Sequence, residues 1–315
     1  MRESEIIALF LKHLKRQGDL PLGDDAGALK LGGEWLVATN DMLVRKTDVP
    51  DIMTPEQVGF KAVTMNVSDV AAMGARPVGF LFSLGIPGDL SSDYLEGVAR
   101  GIGEALDFYG LPVLSADTNE ADDLIIDGVA LGVAERLLTR SGAKPGELVC
   151  VTGDLGRALA GYLVWKEGLD VDDAVREALY EKFLKPKARV GEGIELSKAA
   201  SSAIDVSDGL AKELHVLAEM SRVGIEVYPE RLPIGEGVEE VAEILGLDPV
   251  EIALASGEEF ELVFTVPPDV VDGLDFEFSV IGNVVEGKGV YLVSDDRRKP
   301  LPRLGWEHFD RGMFR

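Results

Sequence analysis

The chain has 315 residues, enough for roughly two domains and a large buried core. Its 31 Lys and Arg face 56 Asp and Glu, and the resulting charge of −25 repels nucleic acid and anionic membrane surfaces. With 46% hydrophobic residues and an ordinary 28% charged, the composition is globular and not that of a disordered acidic chain.

Cys150 is the only cysteine, which excludes intramolecular disulfides and multi-thiolate zinc sites. His13, His215 and His308 are too scattered for a local metal motif, so any metal would be held by oxygen, as Mg²⁺, Mn²⁺ or Ca²⁺ are. No apolar run approaches the ~20 residues of a membrane span, and the first residues lack a signal-peptide layout. The expectation is a soluble, cytoplasmic protein.

Taken in chain order, Ile6, Ile7, Phe10, Leu11 and Leu14 predict an amphipathic helix over 4–17. The loop Gly23-Asp24-Asp25-Ala26 then leads to strands over 28–31 and 35–39, joined at Gly32-Gly33. Thr54-Pro55-Glu56-Gln57 carries the cap, the proline and the Gln of a helix start. That helix should run to about Met73 and stop at Gly74. A strand over 78–84, a helix over 92–109 and strands over 113–115 and 124–134 complete the first half. The turn-rich 137–147 stretch divides the chain into domains 1–138 and 139–315.

The second half predicts strands over 148–152, 202–206, 225–228, 260–266, 278–285 and 290–293. Helices are expected over 155–167 and 209–222, and Lys182 to Arg189 reads as a solvated basic linker. Strands alternating with helices in both halves argue for an α/β (α+β) protein of two domains.

The placement of aspartates carries the chemistry. Asp24 and Asp25 occupy a Gly-flanked loop, Asp41 and Asp117 lie at predicted strand ends, and Asp205 and Asp208 bracket Val206-Ser207 before a helix. Strand ends are where ligand sites form in α/β sheets, although Asp24, Asp41 or Asp117 alone reads equally as a turn former or N-cap. Asp208, just before the helix at Gly209-Leu210-Ala211, reads more readily as a cap. Asp69 differs, because Val63, Met65, Val67, Val70 and Met73 leave its helix little polar face. Its carboxylate needs a cation there, and Lys61, eight residues away, is too distant for local pairing. A cluster of this kind typically holds Mg²⁺, which in turn holds phosphates. No Gly-x-x-x-x-Gly-Lys-[Ser/Thr] segment and no kinase-type His-Arg-Asp loop is present, so phosphoryl transfer would use another scaffold.

Together these segments resemble the thiamine-monophosphate kinases of the aminoimidazole ribonucleotide synthetase superfamily over nearly the whole chain. The resemblance rests on Gly23-Asp24-Asp25-Ala26, Thr39-Asn40-Asp41, Asn66-Val67-Ser68-Asp69, Ala116-Asp117-Thr118 and Thr139-Arg140-Ser141-Gly142. It continues through Asp205-Val206-Ser207-Asp208-Gly209, Ser256-Gly257-Glu258-Glu259-Phe260-Glu261 and Gly305-Trp306-Glu307-His308-Phe309.

What the resemblance implies is transfer of the ATP γ-phosphoryl group to thiamine monophosphate, giving thiamine diphosphate and ADP. It implies a homodimer joined through the N-terminal sheet, with the active site in the cleft between the domains. Asp25, Thr39, Asn40, Asp41, Asp69, Asp117, Asp205 and Asp208 match positions that hold several Mg²⁺ ions. Tyr109, Ala116, Asp117, Arg140 and Ser207 match ATP-contacting positions, and Asp48, Glu258 and Trp306 match positions that contact the thiamine part. Departures are Ser115-Ala116 where the family usually has Gly-Gly, Asn40 for Thr or Ser, and Asp48 where bacterial members often have His.

The acceptor is itself an anionic nucleophile, so no catalytic base is expected, and bridging Mg²⁺ meets the demand to bring two anions together. Two other readings stay open. One is another ATP-dependent member of the superfamily, such as aminoimidazole ribonucleotide synthetase; the cysteine-dependent members fit poorly, because Cys150 is internal. The other is a non-catalytic regulator that binds Mg-nucleotide.

Overall fold

A computed structural model of the protein describes residues 3–14, 17–20, 22–295 and 297–306. Residues 15–17 of the expected first helix include two positions outside this set, and Glu307, His308 and Phe309 of the last motif also lie outside it.

The N-terminal sheet consists of β1 (Gly27–Leu31), β2 (Glu34–Val44), β3 (Arg76–Ile86), β4 (Val113–Glu120) and β5 (Ile125–Ala134), in the order β1-β2-β5-β3-β4. Only β3 and β4 run parallel, and a parallel pair needs a crossover, which the helix Ser92–Tyr109 provides. That helix packs on Pro55–Ala72, whose start has the expected capping box between Thr54 and Gln57. Gly59 and Gly101 let the two helices approach closely: a Cβ would lie 2.2 Å from the Val98 carbonyl oxygen at Gly59 and 1.9 Å from that of Glu56 at Gly101. In β2, Val37, Thr39 and Leu43 are buried while Ala38, Asn40 and Met42 are exposed, the period-2 alternation of a sheet covered on one face.

The second sheet contains β6 (Leu148–Thr152), β7 (Ser202–Asp205), β8 (Gly224–Val227), β9 (Leu262–Val266), β10 (Phe278–Val285), β11 (Gly289–Ser294) and β12 (Arg297–Pro300). Their order is β12-β11-β8-β10-β6-β9-β7, antiparallel except for β11 beside β8. The halves share packing. Phe183, Leu184 and Ala188 join the cluster of Phe60 and Leu106, while Ala72 packs with Cys150, Leu196 and Phe264. Burial pushes the Cys150 thiol up to about 12, which leaves it an inert core group. No helix among the described residues is long and apolar enough to cross a membrane.

Most expected elements are found, with shifted ends. The first helix covers only Glu3–Leu11, the strand expected over 113–115 extends to Glu120, and the one expected from 260 begins at Leu262. Phe260 cannot start that strand, because its φ is +49°. Lys182 to Arg189 is not a solvated linker. Lys182 lies in the helix Asp173–Leu184 and is buried against Glu261, and Arg189 also pairs with Glu261. The fully buried Glu261 carboxylate requires these cations, which sequence spacing alone does not reveal.

Candidate active site

Three carboxylates converge where the halves meet. Asp25 comes from the loop before β1, Asp69 from the last turns of helix Pro55–Ala72 and Asp205 from the end of β7. One carboxylate oxygen from each lies within 4.8 Å of those of the other two. Each is held by its own neighbours: Thr39 Oγ1 donates to Asp69 Oδ2 at 2.6 Å, and Ser68 Oγ donates to Asp205 Oδ2 at 2.6 Å. Arg140 Nη2 donates to Asp25 Oδ1 at 2.8 Å, and its Nη1 reaches the Gly23 carbonyl at 3.2 Å.

Crowding of like charge shows in the ionisation. Asp69 is raised well above the usual carboxylate range, first by desolvation and then by the charges of Asp41, Asp205 and Asp25. Asp205 is raised to about 8, chiefly by burial and then by Asp25. Asp24, beside them, is pushed up to about 6 by burial, against the backbone N–H of Arg140 that donates to it. Burial works against the Arg140 charge, but Asp25 holds its guanidinium above the ordinary value.

Asp25 Oδ2 and Asp205 Oδ1 are buried without a hydrogen-bond partner among the described residues. Buried unpaired acceptors in a ring of carboxylates are what a hard divalent cation satisfies, so this donor set fits Mg²⁺.

The other expected residues divide. Asp41 lies at the rim, its backbone bracketed by Asn66, whose Oδ1 accepts from the Asp41 N–H at 2.8 Å. Gly128 makes room for that amide, since a Cβ there would lie 2.4 Å from Asn66 Nδ2. The loop after β7 carries Ser207, whose carbonyl accepts from Glu258 N at 2.7 Å, and Asp208, whose carbonyl accepts from Trp306 N at 2.8 Å. The Asp208 carboxylate pairs with Lys212 at 2.5 Å rather than with the cluster. Glu258 sits across the cleft with its side chain on Lys61, whose ammonium also donates to the Asp48 carbonyl oxygen at 3.3 Å.

Several residues do not reach the cluster within one chain. Asn40 points to the open face of the sheet because it alternates with Thr39 and Asp41. Ala116 and Asp117 lie on exposed β4, three strands and roughly 14 Å across the sheet from β2. Asp117 is on the row Met42–Asp127–Ser83–Asp117, which faces away from the helices. The Tyr109 hydroxyl accepts from Ala188 N at 2.9 Å and pairs with Thr64 Oγ1 at 3.1 Å, far from the triad in role. The Asp48 carboxylate turns back to accept from Val44 N at 2.7 Å.

Sequence reasoning gave no role to Asn66, Ser68 or Glu213. The first two flank Asp69 on a buried helix, a legible signal. Glu213 is a buried carboxylate that accepts from Asp208 N at 3.1 Å and is raised by desolvation, then by Asp208 and Asp205. It reads in sequence as an ordinary first-turn acid.

Two α/β domains meeting at an oxygen-lined acidic centre define an enzyme of the AIR synthase related class. The model of the AIR synthase related N-terminal domain matches residues 23–134 and that of the C-terminal domain residues 144–295. A thiamine-monophosphate kinase of Pyrococcus abyssi is 55% identical over 313 residues, 99% of this chain and 97% of that protein. Another from Pyrococcus horikoshii is 51% identical over 314 residues, 100% and 98% of the two chains. A solved structure described as AaThiL complexed with AMPPCP and TMP is 33% identical with a TM-score of 0.89, covering 98% of this chain and 97% of its own. The chain belongs to the thiamine-monophosphate kinase family.

Proposed function

We propose that the protein transfers the γ-phosphoryl group of ATP to thiamine monophosphate, giving thiamine diphosphate and ADP. The observation that carries this reading is the triad of Asp25, Asp69 and Asp205 with two orphaned buried oxygens beside Arg140. Asp25, Asp41, Asp69 and Asp205 would hold Mg²⁺, with Thr39 orienting Asp69. Bound there, the metal would supply charge neutralisation and a template for two phosphates.

The chain's own residues do the rest. Arg140 offers planar N–H donors to a nucleotide phosphate while its other arm stays on Asp25. Ser207 and Asp208 shape the loop at the end of β7. Glu258 would face the cationic thiamine ring, and the half-exposed Trp306, whose backbone N–H donates to the Asp208 carbonyl, would stack on that ring. No side chain needs to act as a base, because the acceptor phosphate is already a nucleophile.

The working unit we infer is a homodimer, with the domain boundary at 138/139. Leu29, Leu31, Met42 and Leu114 are exposed on the uncovered face of the N-terminal sheet, and β4 has a free edge. Asn40 and Asp117 are on that face, and Ala116 and Asp117 are on that edge strand, so in the dimer they would lie near the joint between subunits. Light scattering would report the mass. Cytoplasmic residence fits a protein acting on ATP.

The direct test is incubation with Mg²⁺, ATP and thiamine monophosphate, followed by the phosphorus spectrum. Formation of thiamine diphosphate is expected. Its absence across a range of Mg²⁺ would sink the kinase reading, and ATP binding without product would favour the non-catalytic regulator.

A further inference from the structure

Lys61 is 1% exposed in the middle of the helix that carries Asp69, and the local sequence gives it no partner. A buried ammonium must be paired. Its partners come from both domains: Glu258 Oε1 lies 2.5 Å away, and the Asp48 carbonyl oxygen is at 3.3 Å. Lys61 thus bridges the two halves, and Glu258 is the partner that the proposed function gives to the thiamine part of the substrate.

The backbone around Glu258 adds the second half of the argument. Glu258 and Phe260 are non-glycine residues at φ +57° and +49°, left-handed conformations that only over-determined surroundings maintain. Those surroundings are the N–H of Glu258 on the Ser207 carbonyl at 2.7 Å and the N–H of Phe260 on the Val206 carbonyl at 3.0 Å. Glu259 fixes the loop from behind, accepting from Gly156 N at 2.7 Å and Ser256 Oγ at 2.6 Å. The strained loop therefore aims the Glu258 carboxylate at the cleft. Its side chain is 40% exposed, so Lys61 is what fixes its last torsions.

The helix also sets a distance. Lys61 and Ser68 are seven residues apart and so share one stripe, facing the C-terminal domain at Glu258 and at Asp205. Lys61 stands eight residues, ~12 Å along the helix, from Asp69. One rigid element thus spaces the phosphate-holding end of the site from its ring-holding end.

We propose that Lys61 is a positioning residue for substrate recognition, holding Glu258 where it meets the cationic ring of the phosphate acceptor. This rests on the kinase reading. Lys61 takes no part in phosphoryl transfer, and it acts on the acceptor and not on ATP.

The test compares wild type, Lys61→Met, Lys61→Arg, Glu258→Gln and the double variant Lys61→Met/Glu258→Gln, with KM for each substrate, kcat and thermal midpoint. Met keeps helix propensity and leaves Glu258 half in water, so folding is expected to survive. Lys61→Met should raise the KM for thiamine monophosphate about tenfold or more, the loss of a charged hydrogen bond, with the ATP KM unchanged. The double variant should be no worse than Glu258→Gln, and Lys61→Arg should recover part of the loss. An unchanged acceptor KM, a parallel rise for ATP, or additive effects in the double variant would overturn the assignment. A wild-type protein that makes no thiamine diphosphate would instead overturn the kinase reading beneath it. Should Lys61→Met not fold, the Arg variant carries the same comparison: acceptor KM altered and ATP KM constant supports the role, and the reverse removes it.

Discussion

Ser68 Oγ donates to Asp205 Oδ2 at 2.6 Å, a bond between residues 137 apart that ties the N-terminal domain's buried helix to the end of β7. Both groups are buried, and Asp205 Oδ1 has no hydrogen-bond partner among the described residues. The bond therefore does two things: it joins the halves, and it gives Asp205 its one hydroxyl donor. Ser68→Ala should destabilise the protein by ~1–3 kcal/mol, the range for a buried acceptor left unpaired. Denaturant titration reads that loss, and Mg²⁺ titration should show weaker binding at neutral pH, since this bond favours the ionised Asp205. A variant equal to wild type in both would mean the two domains are held without it.

The pH response of the metal-free protein follows from the same carboxylate. Asp205 is raised to about 8 in the fold, so between its ordinary value and 8 the folded state binds more protons than the unfolded one. Its stabilising contribution is complete below about pH 4, declines as pH rises and is gone above about pH 8, with a slope approaching about 1.4 kcal/mol per unit. Asp69, also raised, adds to the same trend. Mg²⁺ would displace these protons and flatten the curve. Calorimetry in buffers of different ionisation enthalpy should detect proton release on Mg²⁺ binding at pH 7, with less in Asp205→Asn. Equal release in the two proteins would count against Asp205 as a ligand.

How much of this was legible in the sequence depends on how local each interaction is. Asp69 announced itself, because an acid on an apolar helix has few bland explanations, and Asp25 and Asp205 followed from motif spacing. Arg140 matched a nucleotide-contacting motif, but its contact with Asp25, 115 residues away, is one that spacing does not show. Asn40 and Asp117 matched motifs, yet strand alternation turns both to the open sheet face, a matter of register that spacing does not carry. Lys182 and Arg189 looked like a solvated stretch, because their partner Glu261 arrives only through β9 and lies 79 and 72 residues on. Lys61 was hidden for the same reason: both its partners come from elsewhere in the chain.

Arg140 is the cation inside the acidic centre, with its backbone N–H on Asp24 and its guanidinium on Asp25. Arg140→Met leaves the buried Asp25 carboxylate without a counter-charge and removes a phosphate donor. The KM for ATP should rise on the order of tenfold to a hundredfold, the span for losing a charged hydrogen bond. Arg140→Lys should recover only part, because a single ammonium cannot serve Asp25, the Gly23 carbonyl and a phosphate with one planar fork. Steady-state kinetics with both substrates decides it: a rise confined to thiamine monophosphate would move Arg140 to the acceptor side.

Glu261 accepts from Arg189 Nε at 2.6 Å and Nη2 at 2.8 Å, from Thr152 Oγ1 at 2.7 Å and from Lys182, all with its carboxylate fully buried. Burial would raise its pKa, but Lys182 and Arg189 outweigh that and hold it below the ordinary value. Neutralising it in Glu261→Gln strands Lys182, which among the described residues has only Glu259 at 3.8 Å as a further counter-charge. Breaking a buried pair from one side should destabilise the protein by roughly 3–5 kcal/mol, whereas exchanging both partners for neutral groups is often far milder. Glu261→Gln/Lys182→Met should therefore recover most of the stability lost in the single variant. Denaturant midpoints of wild type, both single variants and the double variant complete the cycle. Additive losses would mean that Lys182 and Glu261 act independently, and that Arg189 alone anchors the strand behind Glu258.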